Sequence, residues 1–142
     1  MRPTADIIRQ ILVDGSFGSN NSNEWPIYVG FLPDAPNDAI CIYDTAGRMD
    51  GRVMGSGEQI EHPGIQVRVR GVNYLETQTK ATAIAFYLDG LNHVVVEVES
   101  DTVFVVQNVS RAGGILSVGV EESDKRRHHF TINATVTLRE QT

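Results

Sequence analysis

Ile7, Ile8, Ile11 and Leu12 repeat at the spacing of one helix face, with Pro3 and Thr4 as start signals and Asp14-Gly15 as a stop. The chain is therefore predicted to open with an amphipathic helix of about three turns. Ser16 to Glu24 is rich in Ser, Asn and Gly and reads as a surface loop. Ile27 to Leu32 and Ala39 to Tyr43 read as short strands, and the prolines and side-chain acceptors of Pro33 to Asp38 make a turn between them. A hairpin or a pair of near-neighbour strands is expected. Further on, Ile65, Val67 and Val69 alternate with Gln66, Arg68 and Arg70, the period of a strand buried on one face and wet on the other. Gly71 ends it, and Asn73 with Glu76 forms a capping box for a second helix. Thr77, Ala81, Ile84, Leu88 and Leu91 make one stripe of that helix, which runs from Tyr74 and stops at Asp89-Gly90.

His93 to Glu99, Thr102 to Val109 and Ile115 to Glu121 are β-rich runs with short connections, predicting antiparallel neighbours. In the last run Phe130, Ile132, Ala134, Val136 and Leu138 alternate with polar residues, a half-buried strand that closes the sheet. Thr45 to Pro63 has four glycines and no sustained period, so it is expected to be a long arm loop. The order of elements lacks the β-α alternation of a parallel sheet. It predicts an α+β fold: an antiparallel β-sheet with two helices packed on one face and the arm between two strands. In that layering Ile7, Ile8, Ile11, Leu12, Ile84, Leu88 and Leu91 pack on Val67, Val69, Phe130, Ile132 and Val136.

At 142 residues this reads as a single domain, 1–142, large enough for one real core. Twelve Lys and Arg against 18 Asp and Glu leave a formal charge of -6, which argues against non-specific duplex binding. The one cysteine, Cys41, lies between Ile40 and Ile42 and reads as a small buried residue in a protein matured in a reducing compartment. Asp6, Arg9 and Asp14 interrupt the first segment, so a signal peptide is not expected, and no apolar run is long enough to span a bilayer. A soluble cytoplasmic protein without a membrane partner is the expectation.

No phosphate-binding loop, nucleophile elbow, zincin motif or cysteine pair is present, so no catalytic residue, cofactor or metal is assigned. His128-His129 beside Arg126-Arg127 is the one local cluster, and adjacent strand residues point to opposite faces, which disfavours a shared metal. Glu121-Glu122-Ser123-Asp124 running into Lys125-Arg126-Arg127 reads either as a solvated hairpin tip or as a surface that meets a complementary patch. Arg68 and Arg70 share the polar side of their strand, either as solubilising charge or as partners for carboxylates of another subunit. Trp25, Tyr74 and Phe86 read as packing aromatics.

The stretches Pro33-Asp34, then His62 to Arg70 (HPGIQVRVR), then Tyr74 to Gly90, resemble the minor capsid or tail terminator proteins of long-tailed bacteriophages. The ending Lys125 to Asn133 (KRRHHFTIN) is similar to theirs too, whereas Gly113-Gly114 stands where a proline-containing turn is expected. The resemblance implies a structural virion protein of the tail or neck, assembled in the host cytoplasm and not an enzyme. It implies a ring, a hexamer, that caps the tail tube, stops its polymerisation and meets the head-tail connector or stopper protein. DNA passes through the lumen without specific binding. On this reading subunits meet through Arg68, Arg70 and Arg126 opposite Glu121, Glu122 or Asp124 of a neighbour. Arg48, Met49, Arg52, Val53, Met54 and Ile60 of the arm order on the last ring of the tail tube. Another ring-forming virion protein of the tail tube or head closure, and a small metal-dependent or nucleic-acid-processing enzyme using His128 and His129, are the alternatives.

Overall fold

The computed structural model describes residues 3–15, 17, 25–34, 36–52, 59–98, 102–121 and 126–141. Helix α1 is Thr4–Asp14, and the strands before the second helix are β1 (Ile27–Val29), β2 (Ala39–Arg52) and β3 (Gln59–Gly71). Helix α2 is Tyr74–Asp89, followed by β4 (Asn92–Val98), β5 (Thr102–Arg111), β6 (Leu116–Val120) and β7 (His128–Gln141). The helices begin where the sequence predicts. Pro3 caps α1 through its carbonyl, and the backbone amide of Ala5, left without an intrahelical acceptor, donates to Asp44 Oδ1 at 2.9 Å. Asn73 Oδ1 accepts from the amide of Glu76 at 3.1 Å and starts α2.

The strands form one mostly antiparallel sheet in the order β1-β2-β3-β7-β5-β4, with β6 also paired to β7. Ile65, Val67 and Val69 face the helices with Ile40, Ile42, Phe130, Ile132 and Val136, and all are buried. Ile7, Ile8, Ile11 and Leu12 of α1 and Ala81, Ile84 and Leu88 of α2 fill the same core, as the layering predicts. Each large aliphatic buried there contributes about 1.5–3 kcal/mol. α1 touches β1, β2 and β3 but also β4, at the opposite end of the strand order, so the sheet curls around it.

Three expectations are corrected. The first two strands make a parallel pair, Ile27 beside Ile40 and Val29 beside Ile42, and not a hairpin. Residues 30–38 exceed a hairpin turn and are stiffened by Pro33 and Pro36, so the chain returns across the sheet before entering β2. Second, 45–52 and 59–63 belong to β2 and β3, which pair through Thr45 with Gly64, Arg48 with His62, Met49 with Glu61 and Arg52 with Gln59. Two register shifts interrupt this ladder and erase the two-residue period, which is why the sequence reads as a loop. Gly47 lies inside the first shift, where a Cβ would overlap the carbonyl oxygen of His62. Third, β5 and β6 are not neighbours. Both run antiparallel to β7 along the same flank, β6 beside residues 128–131 and β5 beside residues 134–141, as one strand interrupted at 112–115. The Ala112 amide bridges that break to the Asn133 carbonyl at 2.8 Å, and Gly113 at φ 148° supplies backbone freedom few other residues have.

Candidate functional site

The sheet face turned away from the helices carries the predicted arginines. Arg68 and Arg70 do share it, with Cys41 of β2 and Thr131 of β7 beside Arg68. The β1–β2 connection covers one end of this face. Arg70 is 3% exposed, its Nε donates to the Asn37 carbonyl at 3.1 Å and its Nη2 to the Pro36 carbonyl at 2.6 Å. Burial, and then the neighbouring Arg127 cation, pulls its pKa below the ordinary value. Cys41 is fully buried, as expected, and burial pushes its thiol pKa up.

Arg127 is the anchor of that covering connection, and no local pattern in the chain announces it. Expected in a solvated turn, it is 4% exposed. Its Nε and Nη2 donate to both Glu121 oxygens at 2.9 and 3.2 Å, its Nη2 to Asp34 Oδ1 at 2.8 Å, and its Nη1 to the Asp34 carbonyl. His129 Nε2 lies 2.7 Å from Glu121 Oε1. Burial alone would raise the Glu121 pKa; the hydrogen bonds from Arg127 and His129 outweigh it and hold the carboxyl at about 2. The clamp ties the β6–β7 turn to the β1–β2 connection, 93 positions away in sequence, so no local signal could reveal it.

The predicted interface residues separate accordingly. Arg70 and Glu121 already have partners within the chain. Glu122 and Asp124 lie outside the described residues, and Arg126 is exposed with a left-handed backbone at φ 46°. Arg68 is half-buried, its guanidinium 5.8 Å from the centre of the Tyr43 ring. Its Nε is buried without a hydrogen-bond partner, and no carboxylate pairs with Arg68 among the described residues. Of the arm residues, Arg48, Met49, Arg52 and Ile60 lie in strands, whereas Val53 and Met54 fall outside the described residues.

Beyond Arg68 the described part of the polar face carries amide, imidazole and hydroxyl groups. Gln66 donates to Asn133 at 3.0 Å, His62 Nδ1 meets Thr137 Oγ1 at 2.9 Å, and a hollow beside them is lined by Gly47, Asn108, Ser110 and Thr135. The two neighbouring histidines diverge as their strand positions require: His128 meets the Tyr74 ring edge-on at 5.2 Å while His129 meets Glu121. Tyr74 packs on Phe130, but Phe86, expected to pack, is 65% exposed on the outer side of α2. The inner stripe of that helix already fills the space over the sheet.

With two helices under a curled sheet and a clamped polar face, the chain matches the family model for bacteriophage tail terminator protein over residues 8–140. The chain belongs to the bacteriophage tail terminator family. As a member it is a structural protein of the phage tail and a component of the virion. A solved structure 16% identical to this tail terminator family member covers 94% of it and 97% of its own length, at a TM-score of 0.44. A search of curated proteins returns no match. None of its described helices is long and apolar enough to cross a membrane.

Proposed function

We propose that this chain forms the ring that ends the tail tube of a long-tailed phage. Copies of it, six to a ring, seat on the last ring of tube subunits, stop further polymerisation and offer the opposite side to the head-tail connector or stopper protein. The observation that carries this reading is the family match over residues 8–140. The charge of -6 suits a lumen through which DNA slides without adhering. Arg68, with a buried unsatisfied Nε and no carboxylate beside it among the described residues, suits a contact with an acidic side chain of the neighbouring copy.

The contact with the tube is assigned to the far end of the β2–β3 pair, where Arg48, Met49, Arg52, Val53, Met54 and Ile60 cluster in sequence. Because 48–52 and 59–60 are already in strands, this end meets the tube as a preformed hairpin flank, in place of the loop that orders only on contact. Added to polymerising tube subunits, the purified protein is expected to hold tubes at a set length and to label one end in electron micrographs. Tube lengths unchanged by a molar excess of it would refute the terminator role. Replacing residues 53–58 by a short Gly-Ser linker is expected to leave the melting temperature unchanged and abolish capping; full capping would move the contact elsewhere.

A further inference from the structure

All five residues of β6 are exposed. Leu116, Val118 and Val120 are 59%, 55% and 48% accessible, a large apolar outlay for one short strand. The stretch 112–120 contains no charged residue and no proline. Among the described residues β6 pairs only with β7, so its other edge presents bare backbone donors and acceptors. Sheets that stay single protect such edges with charge, proline or extreme shortness. Here β4 shows exposed His93 and Glu97, and β1 is three residues long and follows Pro26. β6 has neither charge nor proline.

The exposed aliphatics flank that edge on both faces. Leu116 lies beside Thr131 on the polar face, and after the register shift at Gly119 the chain brings Val120 beside His128, whose ring touches the 46% exposed Tyr74. A strand laid along the edge covers both sides at once, which a body docking on one face does not.

The same sheet has a second open edge, on its opposite flank. β1 covers β2 only from Ile40 to Ile42, and from Tyr43 to Arg52 that side of β2 has no strand partner among the described residues. We propose that β6 of one copy pairs with the open flank of β2, Tyr43 to Arg52, of the next copy. Two different edges on opposite flanks make a head-to-tail contact, which each copy both gives and receives, the kind of contact a ring is built from where its rotation closes; β6 pairing with β6 would stop at two copies. This inference rests on the ring reading above and names its contact.

Leu116→Lys with Val118→Lys places charge on exposed positions, so circular dichroism and melting should match the unaltered protein. Sedimentation of the unaltered chain should show an oligomer, and the double variant should sediment as a monomer at the same concentration. Separately, copies carrying Val118→Cys are mixed with copies carrying Ala46→Cys under mild oxidation; the native Cys41 is buried and does not compete. A disulfide between unlike copies is expected, and this arm decides the matter should the lysine variant fail to fold. An unaltered oligomer in the lysine variant, or disulfides only between Val118→Cys copies, would overturn the inference while leaving the terminator reading intact. If the unaltered chain neither assembles nor limits tube length, the terminator reading falls and the inference with it.

Discussion

Replacing Arg127 by Met keeps the aliphatic stem and removes four hydrogen bonds at one stroke, two to Glu121 and two to Asp34. Breaking a fully buried ion pair costs about 3–5 kcal/mol, because the abandoned charge stays in a medium that solvates it poorly. Here the guanidinium is buried, but the Glu121 side chain is 23% and the Asp34 side chain 76% exposed, so both carboxylates recover water once the arginine is gone. The expected loss is therefore lower, about 2–3 kcal/mol, and a shift of roughly 3 °C per kcal/mol gives a melting temperature lower by about 6–9 °C. Arg127→Lys keeps the charge without the planar fork and should lose about half as much.

Urea titration followed by the fluorescence of Trp25, the one tryptophan, measures the loss directly. The pH profile supplies an independent reading. Glu121 is held at about 2 in the fold against an ordinary 4.5, so its stabilising contribution is complete above about pH 4.5 and is lost as the pH falls towards 2. In Arg127→Met that acid-range slope should flatten, since the hydrogen bonds and charge of Arg127 no longer hold the carboxyl down. A stability change under about 0.5 kcal/mol with an unaltered acid slope would show that the clamp is not formed in solution.

Leu88→Ala, at a fully buried position over the sheet, should cost about 2–5 kcal/mol in the same titration; a loss near zero would contradict the packing of α2. Gly71→Ala should destabilise by about 1–3 kcal/mol, because a Cβ there would overlap Thr77 Oγ1 and press on Trp25 and Asp38 at 3.1 Å; Thr77→Ala should recover part of the loss, and no recovery would point to a different clash. Reversing Arg68 to Glu should weaken self-association in sedimentation without lowering the monomer's melting temperature, and unchanged association would remove Arg68 from the subunit contact.

Both helices were legible from the chain because their signals are local: Asn73 three residues before Glu76, Pro3 before the Ile7 to Leu12 stripe, and Asp-Gly stops. β3 and β7 were legible for the same reason, their two-residue alternation recording directly which side meets the helices. The resemblance carried by HPGIQVRVR and the Tyr74 helix pointed to the family that the match over residues 8–140 establishes. The short connection between β4 and β5 announces their antiparallel pairing, but the neighbours of the other strands were not written locally. The parallel β1–β2 pair depends on a connection held by Arg70 and Arg127, and the β2–β3 ladder runs through bulges that cancel the period a strand would show. The availability of each candidate side chain was likewise set in three dimensions. Arg68 and Arg70 look identical in the alternation, yet the fold lays Pro36 and Asn37 over one and leaves the other with no carboxylate among the described residues. Periodicity reports which face of an element a residue occupies; what comes to lie on that face is decided by segments distant in sequence, whose backbone groups must find partners once water is excluded.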